Sequence, residues 1–499
     1  MTSQQLYEQY TAQMRKIADV KNALAVLQWD QETYLPSKGA AIRGQQMATL
    51  SEIAHQLFAD ENLGILLKEL SAADGLTGGE QRNVALTMED YAKNKKYTPE
   101  FVRKLSEATS RSYHAWIEAR RLNDFRFFEK SLDELIRLKR EETQVLGFEQ
   151  HPYDALLNEF EKGATVAWLD TLFEELQPPL KALLSTVMQR SQPDDDFLHQ
   201  HFDKDTQWRF GLDMLKRIGY DFEAGRQDIS EHPFTTSFNA GDVRVTTRID
   251  ENDFTSMTWS CLHEGGHALY EQGLPAAQYG LPFGEYCSLG IHESQSRLWE
   301  NCIGRDRSFI AYNIPLIRQY FPQLNQVDPQ QLFAAVNKVK PSLIRTEADE
   351  LTYHFHVMIR YTLEKKLIEG SMEAKDIPAF WNESYRQLLG VTVPDDKRGC
   401  LQDIHWSHGS FGYFPTYSLG SLYAAQFFEG MCRQNPGLRD QVAAGDYTFV
   451  HEWLQTNVYQ YGRAYTSSEL CNKITGAPLQ QRYFMQYLTA KYKAVYHFD

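Results

Sequence analysis

The chain has 499 residues, of which 42% are hydrophobic and 13% aromatic, which is ample for a large buried core. The formal net charge is -15 at pH 7, and without a basic patch or a polybasic anchor the sequence excludes nucleic-acid binding and membrane attachment. The six scattered cysteines form no C-x-x-C pair and the N-terminus has no apolar signal region, so we expect a cytoplasmic protein without a thiolate metal site.

The first half of the chain is predicted to be helical. Apolar residues recur every three or four positions over residues 4–34, the pattern breaks at Leu35-Pro36-Ser37, and a second helix is predicted from about Ala40 to His55. Thr98 and Pro99 mark a helix start, with Thr98 as the cap and Pro99 in the first turn. Further helical patterns cover residues 80–93, 99–122, 126–145, 165–190 and 205–218.

The periodicity changes to alternation between residues 234 and 249. The two arms, Phe234–Asn239 and Asp242–Ile249, are rich in β-forming residues and flank a short turn that contains Gly241, so we predict a β-hairpin. An edge strand at this place could hold an extended peptide by main-chain hydrogen bonds. The other interpretation is a hairpin with a purely structural role.

The segment that follows contains the pattern H-E-x-x-H, from His263 to His267. On a helix the two histidines lie one above the other on one face and can bind one zinc ion, with Glu264 beside them as a general base. Thr255 or Ser256 is predicted to cap this helix, and Gly273 is predicted to end it. The pair Gly265-Gly266 costs about 1 kcal/mol per glycine inside a helix, which indicates close approach of substrate or of a neighbouring strand.

After Gly273 a loop is predicted up to Gly290, followed by a helix from about His292. The remainder is predicted to be mostly helical, with breaks at the prolines 322, 341, 394 and 436. The sequence has no internal repeat and no flexible linker. We therefore expect one all-α peptidase domain over residues 1–499, built from two helical halves that flank a cleft.

A catalytic zinc site usually has a third protein ligand in addition to a water molecule. The candidates downstream of the motif are Glu271, Glu285, His292, Glu293 and Glu300. Glu271 lies one turn farther along the same helix, and His292 is more typical of a cap or core histidine. Two antiparallel helices could bring Glu293 opposite the histidines, with Glu300 on the same face as an outer partner.

Six segments of the chain, in order, match the signatures of one family. The chain resembles the Taq-type metallocarboxypeptidases, an HEXXH family of cytosolic enzymes, and the match extends over essentially the whole sequence. The segments are His232-Pro233-Phe234, Asp242-x-Arg244-x-Thr246, His263-Glu264-Gly265-Gly266-His267, His292-Glu293-Ser294-Gln295-Ser296-Arg297, Ile344-Arg345-Thr346-Glu347-Ala348-Asp349 and Gly399-x-x-Gln402-Asp403-x-His405-Trp406.

The resemblance implies a site and an activity. By this resemblance His263, His267 and Glu293 bind zinc, which cobalt could replace, and Glu264 is the general base. It also implies an almost entirely helical fold with a deep groove and a small sheet near the metal, similar to neurolysin and angiotensin-converting enzyme. Family members are typically homodimers that remove single residues from peptide C-termini with broad specificity.

A second, shorter match concerns residues 408–417, which resemble the H-x-x-x-G-Y-x-x-x-Y stretch of the neurolysin-like oligopeptidases. It implies that His408, Tyr413 and Tyr417 face the oxyanion of the reaction. Aromatic core packing is the alternative interpretation.

An exopeptidase must also bind a free carboxylate, for which a bidentate arginine is best suited. Arg345 is the first candidate and Arg244 the second, while Arg297 is expected to support Glu293. His232, in the first signature, is assigned to substrate binding. Two other functions stay open: an oligoendopeptidase or dipeptidase on the same scaffold, and a peptide-binding protein without catalysis, against which the intact Glu264 argues.

Overall fold

The computed structural model describes residues 1–498, which form twenty α-helices and one three-stranded sheet. The nine helices before the sheet are α1 (Ser3–Thr33), α2 (Ala40–Phe58), α3 (Glu61–Ser71), α4 (Gly78–Asn94), α5 (Pro99–Leu122), α6 (Arg126–Leu146), α7 (Pro152–Phe160), α8 (Val166–Met188) and α9 (Lys204–Arg217). The helices after it are α10 (Phe254–Gly273), α11 (Leu289–Arg297), α12 (Arg307–Tyr320), α13 (Pro329–Val336), α14 (Tyr353–Glu369), α15 (Ile377–Leu389), α16 (Pro415–Gln434), α17 (Leu438–Ala443), α18 (Thr448–Asn457), α19 (Ser467–Thr475) and α20 (Gln481–Tyr496).

The architecture confirms the predicted all-α class with one small sheet. The predicted start of α5 is confirmed as well, because the Thr98 side chain accepts a hydrogen bond from the backbone N–H of Phe101 and Pro99 occupies the first helical position. Helices α3 and α7 were not expected from the periodicity, and they are short, with 11 and 9 residues. Within residues 1–498, no helix combines the length and the apolar character that crossing a membrane requires.

The chain divides into two compact units, each assembled from three segments. The first unit comprises Met1–Lys95, Asp195–Leu332 and Phe427–Pro478, and the second comprises the remaining segments, Lys96–Asp194, Phe333–Gln426 and Leu479–Asp499. Part of the core of the first unit is an apolar cluster in which Tyr10 and Ile17 of α1 pack against Leu67 of α3. In the second unit Phe101 and Leu135 belong to a cluster between α5 and α6. The single peptidase domain stays a prediction.

The sheet lies in the first unit and contains the predicted hairpin. Strands β2 (Thr235–Asn239) and β3 (Asp242–Thr247) are antiparallel, with a register irregularity between Ser237 and Asn239. A strand that was not predicted, β1 (Gly225–Ile229), pairs parallel to β3 on its other side. The strand order is therefore β1-β3-β2, and β2 is an edge strand.

The two faces of the sheet have different partners. Val243 and Val245 of β3 are buried, and Thr235, the register partner of Val245, reaches Glu264 on α10, so this face packs against α10. On the other face the guanidinium group of Arg244 stacks on the ring of Trp29 of α1 at 4.4 Å. The sheet thus lies between α1 and the helix that carries the H-E-x-x-H pattern.

Helix α10 begins two or three residues before the predicted caps. Asp253 is the N-cap, and its carboxylate accepts a hydrogen bond of 2.8 Å from the backbone N–H of Thr255, so the expected role of Thr255 or Ser256 is wrong. The helix ends at Gly273, as predicted.

The glycine pair inside α10 is explained by neighbouring helices. A Cβ atom on Gly266 would lie 2.5 Å from the backbone oxygen of Gln295 on α11, and one on Gly265 would lie 2.7 Å from the side chain of Ile218, directly after α9. Glycine therefore lets α11 approach α10 at backbone distance. The close neighbour is a helix, where we had expected a strand or the substrate.

Candidate metal centre and active site

Three side chains converge where α10 and α11 meet. His263 and His267 lie one turn apart on α10, and their Nε2 atoms are 3.7 and 3.4 Å from Oε2 of Glu293 on α11. One ligand atom from each residue lies within 4.8 Å of the other two. Two imidazoles and one carboxylate are the donor set of a catalytic zinc site with an open position. These residues therefore fit a metal ion, and they are the three residues that the resemblance implied as ligands.

The carboxylate of Glu293 is oriented by its own helix. Arg297 donates a hydrogen bond of 2.7 Å from Nε to Oε1, and Ser296 donates one of 3.0 Å from Oγ to Oε2. Burial alone would raise the pKa of Glu293, but Arg297 and His263 hold it well below its usual range. The group is thus ionised, as a metal ligand must be. The contact also agrees with the expected support of Glu293 by Arg297.

His263 is held from behind by a carboxylate. Its Nδ1 lies 2.9 Å from Oε2 of Glu300, which also pairs with Arg297 at 3.2 Å and with Arg305 at 3.3 Å. Burial alone would raise the pKa of Glu300, but Arg297 and His263 lower it well below its usual range. Such outer partners fix the ring orientation and the tautomer of a metal-binding histidine. Glu300 therefore has the outer position that the sequence predicted.

His267 contacts a second histidine, His292, which we had expected to be a cap or core histidine. Nδ1 of His267 lies 2.6 Å from Nδ1 of His292, and Nε2 of His292 lies 2.9 Å from Oε1 of Glu271. Burial and the neighbouring His292 lower the pKa of His267 to about 3, which keeps it in the neutral form that binds metal. The sequence positions could have indicated this contact. Glu271 follows His267 by one helical turn, and His292 directly precedes Glu293, which was expected opposite the histidines.

The proposed base, Glu264, is buried beside the ligands and is held by the sheet. The Thr235 hydroxyl donates a hydrogen bond of 2.6 Å to Oε2 of Glu264 and lies 3.0 Å from its backbone oxygen. Burial raises the pKa of Glu264, and the nearby His263 and Thr235 oppose this rise. A carboxylate with a raised pKa is a better proton acceptor near neutral pH. Sequence reasoning did not identify Thr235.

Two predicted substrate-binding residues of the first unit lie near the hairpin. Arg244 forms a bidentate pair with Asp242, at 2.8 and 2.9 Å, and its guanidinium also stacks on Phe238 at 4.9 Å. His232 lies between β1 and β2 with an exposed side chain, and its backbone oxygen accepts a hydrogen bond of 2.6 Å from the Ser230 hydroxyl.

The first candidate for carboxylate recognition, Arg345, lies in the second unit and is buried. Its Nε donates a hydrogen bond of 3.0 Å to Oδ1 of Asp403, and its Nη1 donates one of 3.1 Å to the Tyr353 hydroxyl. Asp403 also accepts a hydrogen bond of 2.7 Å from Nε of the buried Arg360. Burial alone would raise the pKa of Asp403, but Arg360 and Arg345 hold it well below its usual range. One carboxylate is therefore shared by two guanidinium groups.

The aromatic stretch of the second unit contains a further histidine. Nε2 of His405 lies 3.1 Å from the hydroxyl of Tyr417, whose ring centroid is 5.2 Å from that of Tyr413. Burial and the nearby Arg345 lower the pKa of His405 to about 3, so it is neutral. His408 has an exposed side chain, and its ring lies 5.0 Å from the ring of Tyr113. His405 was part of a signature segment, but no role was assigned to it.

Comparisons with known proteins show the family of this chain. Residues 9–492 match the family model described as "Carboxypeptidase Taq (M32) metallopeptidase". The chain is 38% identical to thermostable carboxypeptidase 1 of Thermus thermophilus, covering 99% of this chain and 100% of that protein. It is 36% identical to carboxypeptidase 1 of Bacillus subtilis, covering 97% of each chain.

The fold is also similar to that of a solved structure. The M32 carboxypeptidase of Deinococcus radiodurans superimposes with a TM-score of 0.97 at 39% identity, covering 99% of this chain and 100% of that chain. The family implies a metal ion, which the cluster of His263, His267 and Glu293 fits. The chain therefore belongs to the carboxypeptidase Taq (M32) family of metallopeptidases and is a metallocarboxypeptidase.

Proposed function

We propose that the protein is a zinc-dependent metallocarboxypeptidase that removes single residues from peptide C-termini with broad specificity. The observation that carries the proposal is the joint placement of two histidines and Glu293 beside a buried Glu264. This donor set suits zinc, and cobalt is a possible replacement. We further propose that the enzyme is a cytoplasmic homodimer acting on peptides with a free C-terminus, as the family resemblance implies.

The residues have distinct roles in the proposed hydrolysis. When bound, zinc would lower the pKa of a water molecule to about 7 and polarise the scissile carbonyl. Glu264 accepts the proton of the attacking water and passes it to the leaving amine. Thr235 keeps the carboxylate of Glu264 in one orientation through its hydrogen bond of 2.6 Å. Glu300 and His292 hold the two ligand histidines in the required tautomers.

A hydroxyl donor is proposed to stabilise the oxyanion, from Tyr417 or Tyr413, with His408 as a further candidate. The contact between Tyr417 and His405 supports Tyr417, because a neutral histidine that carries its proton on Nε2 donates it to the Tyr417 oxygen, and the phenolic O–H can then donate to the oxyanion. Removing one oxyanion donor typically costs about a hundred- to a thousandfold in rate.

Recognition of the terminal carboxylate is assigned to Arg345, with Arg244 as the alternative and His232 as a further substrate contact. The guanidinium group of Arg244 is matched by one carboxylate, that of Asp242, through two hydrogen bonds. Arg345 shares Asp403 with Arg360, so this carboxylate does not balance both positive charges. A substrate carboxylate would complete that balance, which supports Arg345.

Mass spectrometry of a peptide mixture incubated with metal-loaded enzyme tests the proposal. We expect successive losses of single C-terminal residues, and no loss from peptides with amidated C-termini. Internal cleavage of both kinds of peptide would favour an oligoendopeptidase, and hydrolysis confined to dipeptides would favour a dipeptidase. The Glu264→Gln variant should retain its metal and lose nearly all turnover, since Glu264 is not a ligand. If the wild type binds the peptides without cleaving them, the protein is a binder.

A further inference from the structure

The N-terminal helix makes a hydrogen bond to the main chain of the edge strand. Nδ2 of Asn22 on α1 donates a hydrogen bond of 2.6 Å to the backbone oxygen of Phe238 and lies 2.9 Å from the hydroxyl of Tyr279. The Tyr279 hydroxyl in turn donates one of 2.9 Å to the carboxylate of Asp19 on α1. These contacts connect α1 to the end of β2 that is farther from Glu264.

Helix α1 crosses the strands in the order β2, β3, β1. Asn22 contacts β2, Trp29 stacks on Arg244 of β3 and Tyr34 donates a hydrogen bond to Asp228 of β1. Trp29 also lies 5.5 Å from the guanidinium group of Arg226 of β1. The seven residues from Asn22 to Trp29 rise about 10 Å, so this part of α1 runs across the sheet from β2 towards β1, with about 4.8 Å between neighbouring strands. The part of α1 that precedes Asn22, including Asp19, therefore extends past the open edge of β2.

The register shows which peptide groups of β2 lie on that edge. The backbone oxygen of Phe234 accepts a hydrogen bond of 2.9 Å from Thr246, so Phe234 faces β3. In an antiparallel pair the direction alternates with each residue, and the peptide groups of Thr235 and Ser237 consequently face outward. The irregularity after Ser237 breaks this alternation, and the next carbonyl, that of Phe238, is bound by Asn22.

The direction of a bound peptide follows from the position of the base. Thr235 contacts Glu264, so this end of β2 lies at the scissile bond, and Ser237 lies farther away. Under the proposed function, nearly all of the substrate lies N-terminal to the scissile bond. It must therefore run antiparallel to β2, with its N-terminal part beside Ser237.

We propose that Asn22 ends the substrate-binding edge of β2 and limits main-chain recognition to the last few residues of the peptide. Thr235 lies opposite a residue that flanks the scissile bond, and Ser237 lies opposite the residue two positions before it. A peptide of about three or four residues then uses every outward peptide group that precedes Phe238. A longer peptide meets Asn22 and the preceding turn of α1 and gains no further main-chain hydrogen bond. This inference rests on the proposed carboxypeptidase function.

The test measures binding against peptide length. N-acetylated peptides of two to seven residues with a common C-terminal sequence and N-terminal alanine extensions are titrated into metal-loaded Glu264→Gln enzyme by calorimetry. We expect Kd to fall about two- to tenfold for each added main-chain hydrogen bond, up to about four residues, and then to stay constant. A Kd that continues to fall at each length up to seven residues would overturn the proposal.

The variant Asn22→Ala releases the carbonyl of Phe238. We expect the binding plateau to move to longer peptides, with about two- to tenfold tighter binding of the five-residue peptide and unchanged binding of the three-residue peptide. Gln28→Ala, an exposed change on the same helix, is the matched control and should leave the plateau in place. An unchanged plateau in folded Asn22→Ala enzyme contradicts the role of Asn22.

The two proposals fail in different ways. If the wild-type enzyme releases no C-terminal residue from any of these peptides, the proposed carboxypeptidase function is wrong. The dependence of Kd on peptide length can still be measured in that case, because binding to Glu264→Gln enzyme does not require turnover. If Asn22→Ala does not fold, the proposal is decided by the Glu264→Gln enzyme with Asn22 unchanged, from the peptide length at which Kd stops falling.

Discussion

The Thr235 hydroxyl and the Glu264 carboxylate are 2.6 Å apart, although the two residues are 29 positions apart in the sequence. The contact joins the edge strand β2 to the helix that carries His263 and His267, the two proposed histidine ligands. Because the Thr235 side chain also lies 3.0 Å from the backbone oxygen of Glu264, strand and helix keep a fixed distance at this point. The proposed base and the proposed peptide-binding edge are thus positioned by one side chain.

The first prediction tests that contact. Thr235→Val keeps the shape of the side chain and removes the donor, so Glu264 loses the group that orients it. A hydrogen bond to a charged group contributes about 1.5–3 kcal/mol, so we expect kcat/KM to fall about ten- to a hundredfold. Peptide hydrolysis is measured together with metal content, which should stay unchanged because Thr235 does not contact the ligands.

Thr236→Val is the matched control for this experiment. Thr236 is the next residue of β2, and it pairs with Arg244, on the face of the sheet that α1 covers. This variant should keep nearly full activity. If Thr236→Val lowers kcat/KM as much as Thr235→Val does, the effect comes from strand geometry, and the orienting role of Thr235 is wrong.

The second prediction ranks the metal affinities of five variants. His263→Ala, His267→Ala and Glu293→Ala remove a ligand and should each abolish stoichiometric zinc binding. Glu300→Ala and His292→Phe remove an outer partner and should each weaken binding about ten- to a hundredfold. The affinity is measured by competition with a chromogenic chelator, which does not depend on turnover.

The chemistry of the His267–His292 contact explains the expected loss. If Nε2 of His267 binds the metal, its ring proton must be on Nδ1, which then donates to Nδ1 of His292. His292 consequently carries its own proton on Nε2 and donates it to Glu271. Phenylalanine cannot accept the first of these hydrogen bonds. Stripping of the metal by His292→Phe but not by Glu293→Ala would mean that the ligand assignment is wrong.

Local patterns of the sequence were sufficient for much of the fold. The alternation of residues 234–249 predicted the hairpin, and the start of α5 followed from Thr98 and Pro99. The histidine spacing predicted that His263 and His267 lie on one helical face, and the resemblance supplied Glu293, which the structure places beside them. These features depend on neighbours a few residues apart, where propensity and periodicity are informative.

The missed features depend on contacts that are distant in the sequence. Strand β1 pairs in parallel with β3, which needs a crossover that no turn signal marks. The Thr235–Glu264 contact arises only when the sheet packs on α10. Similarly, the reason for Gly266 became visible only with α11 in place, since its backbone takes the space that a side chain would need.

The third prediction concerns pH and a buried carboxyl group of the second unit. Burial raises the pKa of Glu364 from 4.5 to about 7, although Tyr153, the backbone N–H of Gly412 and Trp406 donate hydrogen bonds to it. Between these two values the unfolded chain is ionised and the folded chain still binds the proton. The free energy of unfolding should therefore fall as pH rises, by about 1.4 kcal/mol per unit and about 3 kcal/mol in total.

Urea unfolding between about pH 5 and pH 8 measures this slope. Glu364→Gln removes the titrating group, so the part of the slope that belongs to Glu364 should disappear. Glu383→Gln changes an exposed carboxylate that pairs with Arg386, and it should leave the slope unchanged. A slope that persists in Glu364→Gln would assign the pH dependence to other groups.

The last prediction separates an exopeptidase from an endopeptidase. If Arg345 pairs with the terminal carboxylate of the substrate, amidation of the peptide C-terminus removes its charged partner. Charge-assisted hydrogen bonds are worth about 1.5–3 kcal/mol each, so kcat/KM should fall about a hundredfold or more.

The Arg345→Ala variant should show a similar fall in kcat/KM on the free-acid peptide. Amidation of the peptide should then lower the kcat/KM of this variant little further, because the arginine is already absent. Lysine at this position should recover only part, because it cannot pair in the bidentate way. Thermal unfolding of Arg345→Ala is the necessary control, since this side chain also pairs with the buried Asp403. Equal cleavage of free and amidated peptides by the wild type would support the endopeptidase, and an amidation penalty that survives in folded Arg345→Ala would move the carboxylate site to Arg244.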